Sequence, residues 1–561
     1  MEKKNIAILL LSIALVVSSI ANIGLSLSAT KAPYVPGELI TLRAGTYYDL
    51  YDIDPVLSWD SVSNDVIEQV CEGLFQYNLS DPDLGIIPML ATDYGMWDIS
   101  RTKFTIPLRR NVFFHDGTPF NAEAVKWNFE RISWFINGTG TLNASVGISP
   151  LRYLYEFPNG TTILDPITPV TVNSAYSVTI NLRAPYSILE KLLCYVSAFM
   201  LSPESTPKYE YISFTNGKIV GTGPFTYDEF DYDSVEPAIY FHRWERYWRT
   251  GPFYEELVIS YFKDGPTLIK AFIDQSINYL LNGILMALPI SGYPEYITAY
   301  QGIQGLAYWY LGMNNNKINK TWRQAISYAI NYTYILNELR EGRAYRSNGP
   351  LAPTFSMYNP NIKAANWNLA KARQILVDAS ITSLTANNDT TGPVADAWKA
   401  ADFQTWEFLI LCGRSLDIEM YLLLHDNLDL IGIEVEEFNY CLTPPIEKDS
   451  LELYFNGWGP DYLSPYNMIF PLFSNRSISN YVQYHNHSVE MWFEAVLSET
   501  NATKRAELYS KILHQIVEVD MPVAFGYHPY LSCFHNKNIN GVPYNAMDKF
   551  YAYPIYRDSN S

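Results

Sequence analysis

Hydrophobic and polar positions alternate along this chain in blocks whose periods predict discrete elements. Leu39 to Leu42 reads as a first strand. Ser61 to Leu74 then places Val62, Val66, Ile67, Val70 and Leu74 on one face of a helix. Phe104 to Leu108 reads as a strand, and His115-Asp116-Gly117-Thr118-Pro119 as a tight turn before a second helix. Asn121 is placed to cap that helix, Phe120 to staple onto Val125, and Phe129 and Ile132 to continue its buried face. The stretch from Asn137 to Pro166, rich in Gly, Asn and Pro, reads as an elaborated surface loop. Trp322, Ala325, Ile326, Ala329 and Ile330 mark another helix by their three-and-four spacing. Phe408 to Cys412 as strand, Asp417 to Leu430 as helix and Ile433 to Phe438 as strand predict a parallel pair with a crossover helix. No internal repeat interrupts this mixed α/β pattern.

The first thirty residues have a different character. Lys3 and Lys4 precede an apolar run from Ile6 to Leu27, the pattern of a secretory signal or signal anchor with the rest of the chain exported. Ser26-Leu27-Ser28 is a mediocre small-x-small cleavage site, so an uncleaved anchor and a free secreted form both stand. No Cys precedes Cys71, which excludes lipid attachment at a leader cysteine. Asn-x-Ser/Thr acceptors begin at Asn78, Asn137, Asn143, Asn159, Asn319, Asn331, Asn388, Asn475, Asn486 and Asn501. Their excess over chance suggests a cell that glycosylates its outer surface, such as an archaeon or a eukaryote.

Composition narrows the class further. At 561 residues the chain is long enough for two or three domains, and 48% hydrophobic with 17% charged residues supports large cores and excludes a disordered chain. A formal charge of −19 disfavours nucleic acid as a partner. The 44 tyrosines, flat and apolar with a polar tip, suit ligand-lined clefts and glycan-bearing surfaces alike. Five cysteines, Cys71, Cys194, Cys412, Cys441 and Cys533, show no zinc-type spacing. Cys412 and Cys441 are placed to bridge neighbouring strands, but two separate buried thiols are the favoured expectation.

The most specific segment is Asn111-Val-Phe-Phe-His-Asp-Gly-Thr-Pro-Phe-Asn-Ala-Glu-Ala-Val-Lys-Trp-Asn-Phe-Glu-Arg131. It is accompanied, in order, by Asp54-Pro55, Glu72-Gly73-Leu74, Gly221-Thr-Gly-Pro-Phe225, Tyr247-Trp248, Trp322-Arg323-Gln-Ala-Ile326, Gly432-Ile433 and Gly457-Trp458-Gly-Pro-Asp461-Tyr462. In these blocks, which span roughly Leu39 to Pro543, the chain resembles the extracellular solute-binding proteins of peptide importers, family 5 (oligopeptide/dipeptide-binding). The resemblance implies an α/β, two-lobe, periplasmic-binding-protein-like fold of type II, cluster C, with an extra inserted domain and a hinge. The apolar run already described takes residues 1–30 as leader or membrane anchor. The basal domain of lobe I takes residues 38–65, 205–300 and 515–561, its inserted domain 66–204, and lobe II 301–514. Chain crossings are expected near Tyr300 and near Asn501 to Glu518.

The resemblance also implies the chemistry. An Asp three residues after the motif tryptophan pairs in this family with a peptide α-ammonium, which assigns Asp461 that role, against a purely local reading as a helix cap. Trp458 is a pocket wall or a core aromatic. Tyr462 and Tyr47 complete the candidate ligand-binding set; Tyr47 lies with Tyr48 on the loop after the first strand, in a chain where exposed tyrosine is abundant. Arg323 reads as a structural cation, His115 and Asp116 as turn residues, and Gly221 and Gly223 as hinges of backbone turns. Leu451 to Gly457 carries only Glu452 as a charge, so no basic residue stands ready there for a ligand carboxylate. No Gly-x-Ser-x-Gly, His-Glu-x-x-His or phosphate-loop lysine is present. The expectation is therefore a monomeric binding protein, not an enzyme, without cofactor or metal. It would capture an oligopeptide and deliver it to an ABC permease with separate ATPase subunits. Another solute (an oligosaccharide or a metal chelate), an exported glycoside hydrolase and a surface receptor are the alternatives.

Overall fold

Twelve strands form one mixed sheet in the computed structural model, which describes residues 40–557 other than 49, 137–149, 214–216, 233, 235, 282–293, 413 and 442–445. The N-terminal apolar run, read above as a leader or anchor, lies outside these residues. The strands are β1 (Thr41–Thr46), β2 (Phe225–Asp231), β3 (Ala238–Arg243), β4 (Glu256–Tyr261), β5 (Tyr279–Leu280) and β6 (Ile297–Gln304). They continue with β7 (Tyr308–Met313), β8 (Ala344–Arg346), β9 (Gln404–Leu411), β10 (Ile433–Tyr440), β11 (Leu453–Trp458) and β12 (Val523–Asn536). Their order is β10-β9-β11-β7-β12-β5-β1-β4-β3-β2, with β6 and β8 also paired to β12.

β12 joins the two halves of this sheet. From Val523 to Tyr527 it pairs with β7, and from Tyr530 to Asn536 with β6, while β5 adds pairs at Phe534 and His535. β8 pairs at the handover, Tyr527 to Pro529. On the β9–β10 side, helix α3 (Lys320–Ala329) and helix α4 (Ser415–Asp429) bury their apolar faces in a core with Trp322, Phe408 and Leu424. The predicted strand-helix-strand unit is present: β9 and β10 run parallel around α4. Of the expected first strand, Leu39 lies outside the described residues, and the strand runs from Thr41 to Thr46. It gains its length from parallel partners on both edges, β4 and β5, which bury Ala44, Gly45 and Thr46 despite their small side chains.

Helix α1 (Ser61–Val70) and helix α2 (Ala122–Ile136) match their expected faces, and the Asn121 side chain accepts from the backbone N–H of Glu123 (3.0 Å) and Ala124 (3.1 Å) as a cap should. The motifs that carried the resemblance meet in space. Buried Glu72 accepts from Tyr247 Oη (2.6 Å), Thr222 Oγ1 (2.8 Å) and Trp248 Nε1 (2.9 Å), so three sequence blocks close on one carboxylate. Asp54, fully buried, pairs with the Arg131 guanidinium and accepts from Ile212 N (2.8 Å). Gly221 and Gly223 do not make left-handed turns. A Cβ at Gly221 would stand 2.2 Å from Val70 O, so close approach of two backbones requires the glycine there. Arg323 is buried and donates to Ile318 O (2.7 Å), Asp520 O (3.1 Å) and Met521 O (3.2 Å).

Two expectations need correction. The end of the Asn137 to Pro166 stretch is not surface loop: Pro150–Tyr155 is a short 3-10 helix, and Leu151, Leu154, Tyr155, Ile163 and Leu164 enter the main core. Cys412 and Cys441 are bonded to each other rather than separate. The register explains it. β9 and β10 pair through Leu411 and Tyr440, which puts the next residues opposite each other with Cα atoms 5.1 Å apart.

Candidate functional site

Where the two halves of the sheet meet, a cavity of about 210 Å³ opens beside β12. Trp309 of β7 and Gly457 and Trp458 of β11 line one part of it, and Ala307, Tyr48 and Ser61 another. Pro529 and Asp548 complete the wall with Asn456 and Gly459. The strands place these groups by register, since Trp309 lies opposite Gly457. A Cβ on Gly457 would stand 3.0 Å from the Trp309 indole, so glycine lets that ring lie flat across the strand. Trp309 is stacked with Phe455 (5.7 Å between centroids) and Tyr527 (6.1 Å).

Asp461 follows the Trp458-Gly459 rim and is partly exposed. Its Oδ2 accepts from Asn467 Nδ2 (2.7 Å) and from Tyr153 Oη (3.0 Å), and its backbone N–H donates to Asn467 Oδ1 (2.8 Å). Trp59 stacks on Tyr153 (4.9 Å) and meets Trp458 edge-on (6.1 Å), which encloses the carboxylate in aromatic rings. Burial raises the Asp461 carboxyl to about 6, against the opposing pull of the Asn467 and Tyr153 hydrogen bonds and of Lys549. The cap of the following helix, α5 (Pro465–Phe473), is Ser464, whose Oγ accepts from Tyr466 N (3.2 Å). Asp461 is therefore free of capping duty.

The other candidates divide. Trp458 lines the cavity while its indole N–H donates to Asn467 O (2.9 Å). Tyr462 does not line it: at 1% exposure it lies in the main core. Tyr47 packs against the small cluster around Phe262 and Phe272 and donates to Tyr48 Oη (3.0 Å); Tyr48 is the one in the cavity wall. Three contributors went unread in the sequence. Tyr153 comes from a stretch that resembled a loop, and Asp548 from the C-terminal segment. Arg414 precedes α4, its guanidinium 5.5 Å over the Trp309 ring and donating to Phe455 O (3.3 Å), close enough for its charge to act on Tyr47 and Tyr48. Arg414 thus stands behind the Trp309 wall and is paired with Asp417 (3.4 Å). Among the described residues no group of three or more His, Cys, Asp or Glu could hold a metal ion, and no helix is long and apolar enough to cross a membrane.

The fold and the cleft define a two-lobed solute-binding protein of the type II periplasmic class. The sequence model of the bacterial extracellular solute-binding proteins, family 5, middle region, matches residues 85–480, and the chain belongs to that family. The glutathione-binding protein GsiB of Salmonella choleraesuis is 25% identical over 546 residues, covering 93% of this chain and 95% of GsiB. NikZ from Campylobacter jejuni, solved with Ni(L-His), superposes with a TM-score of 0.75 at 20% identity over 93% of this chain and 100% of its own. DppA from Helicobacter pylori, solved with the peptide STSA, gives 0.72 at 22% identity over 92% and 98%. These structural likenesses establish the fold.

Proposed function

We propose that this protein is an exported receptor that captures oligopeptides between its lobes and delivers them to the permease of an ABC importer, with ATP hydrolysed on separate subunits. The observation that carries the reading is Asp461: a carboxylate held by Tyr153 and Asn467 at an aromatic rim, released from capping and without a bonded cation of its own. A peptide α-ammonium brought there would form a charge-assisted hydrogen bond and recover the cost of burying the carboxylate. GsiB and DppA, whose names and bound peptide indicate peptide-like ligands, support the same class. The domain limits given above, with β12 and the nearby crossings as hinge, and the N-terminal run as membrane anchor of a monomer, belong to the same proposal.

Isothermal titration with a tripeptide and its N-acetyl form tests it. Removing one member of a buried charged pair costs about 2–5 kcal/mol. Acetylation should therefore weaken binding roughly 30-fold to several thousandfold at about 1.4 kcal/mol per tenfold. Asp461→Asn should produce a similar loss, and the two losses should not add. Equal affinity of wild type and Asp461→Asn for the free peptide would remove the ammonium role. Binding of a nickel–histidine complex or a neutral oligosaccharide in place of every peptide would overturn the ligand class.

A further inference from the structure

Asp548, from a different segment than Asp461, borders the cavity beside β12 on one side and a small one with Tyr279, Cys533 and Lys549 on the other. Its backbone has φ +57°, in the left-handed region that side-chain-bearing residues seldom occupy. The turn around it is over-determined. Asn545, itself buried, accepts from Met547 N (3.1 Å) and Lys549 N (3.2 Å) and donates to Pro543 O (2.9 Å) and Lys549 O (2.9 Å). Beyond the turn, Phe550 N donates to Asp65 Oδ1 (3.2 Å) and Ala552 N to Gln69 Oε1 (3.0 Å), and before it Leu306 N donates to Ala546 O (3.2 Å). A strained residue held this firmly at a cleft points to use of its side chain.

That side chain has no partner to account for its position. Among the described residues none donates a hydrogen bond to the Asp548 carboxylate and none forms an ion pair with it. The neighbouring cation, Lys549, is bound to Glu68, and Arg414 is held by Trp309, Phe455 O and Asp417. Tyr48, Asp65, Tyr279 and Cys533 sense the charge of Asp548, and none of these is a cation. Burial alone raises its carboxyl to about 7. A half-buried carboxylate that no side chain pairs with is costly until a cation arrives.

We propose that Asp548 receives a second cationic group of the solute, so that this protein prefers peptides bearing a basic side chain. The inference rests on the peptide reading and adds a determinant of specificity to it.

Titration at pH 8 with tripeptides carrying lysine at each of the three positions, each against its norleucine counterpart, isolates the charge from the length and apolar bulk of the side chain. At one position or more, wild type should bind the lysine peptide at least tenfold more tightly. Asp548→Asn, which keeps the shape and tolerates the left-handed backbone, should shrink that ratio to threefold or less while leaving norleucine peptides within threefold. Asp548→Gly, which suits the same backbone conformation, serves if the asparagine variant does not fold. Norleucine peptides that bind as tightly as lysine peptides at all positions, or a lysine preference that survives both variants, would overturn this inference and leave the peptide reading intact. Failure of every peptide to bind wild type would overturn both together.

Discussion

Arg131→Met tests whether the long sequence signature serves architecture or ligand. Arg131 is 1% exposed and Asp54 0%, so the pair is out of water. The guanidinium donates to both Asp54 oxygens, to Glu210 O (3.1 Å) and to Pro207 O (3.2 Å), and lies 4.8 Å over the Phe135 ring. Methionine fills much of the stem volume but leaves the carboxylate buried beside two unsatisfied carbonyls. Breaking a buried pair on one side costs about 3–5 kcal/mol. Asp54 also accepts from Val56 N on Oδ1 (3.1 Å) and from Ile212 N on Oδ2 (2.8 Å), so Asp54→Asn removes the charge and keeps an acceptor for one of these two donors. The double variant Asp54→Asn/Arg131→Met should therefore recover at least about 1 kcal/mol of the single loss, as expected for residues in one network. Equilibrium urea unfolding, followed by tryptophan fluorescence and circular dichroism together, measures both values. A loss below about 1 kcal/mol for Arg131→Met, or a double variant weaker than the single, would refute the architectural role.

Three further outcomes are expected. His115 and His528 accept no charge readily, because burial lowers both to about 4, while an unfolded chain protonates near 6.5. The native state is therefore fully favoured above about pH 6.5 and loses stability as pH falls toward 4. Asp461 and Asp548 act in the opposite sense, so the readout is the slope relative to His115→Gln, which should be shallower by about 1.4 kcal/mol per pH unit; an identical slope would refute it. Asp461, raised to about 6, disfavours the empty folded form as pH rises from about 4 to 6. The melting temperature of solute-free Asp461→Asn should gain on wild type across that interval and stay level above it, and a constant difference would refute the reasoning. Reducing the Cys412–Cys441 bond, which closes a 29-residue separation, should cost about 3–4 kcal/mol on the loop-entropy model. Unchanged urea unfolding after reduction would contradict that.

Local signals in the sequence were the ones that matched the structure. α4 and its flanking strands follow from apolar spacing within some thirty residues, and α2 from its own cap and stripe. Contacts between distant segments were not legible. Tyr153 reaches Asp461 across 308 positions, and nothing in its neighbourhood distinguishes it from the many other tyrosines. Tyr462 adjoins Asp461 in the motif, yet chain direction there sends one side chain to the rim and the next into the core. The disulfide required the register of β9 on β10, which composition does not reveal. The acceptor tripeptides had a competing local explanation. Asn319, Asn331, Asn486 and Asn501 cap helices, and Asn78 and Asn159 bond the backbone N–H of the Ser80 and Thr161 two residues on. Asn followed by Ser or Thr is thus partly the grammar of helix starts and tight turns.

β12 has a consequence for biosynthesis. It is a 14-residue interior strand for both halves of the sheet, yet it lies in the last tenth of the chain. Until Val523 to Asn536 has emerged, β7 lacks one of its edges and β6 has no partner strand at all among those described. The newly made chain therefore lacks the strand that joins its two halves through nearly its whole length, a condition that agrees with the exported reading proposed above.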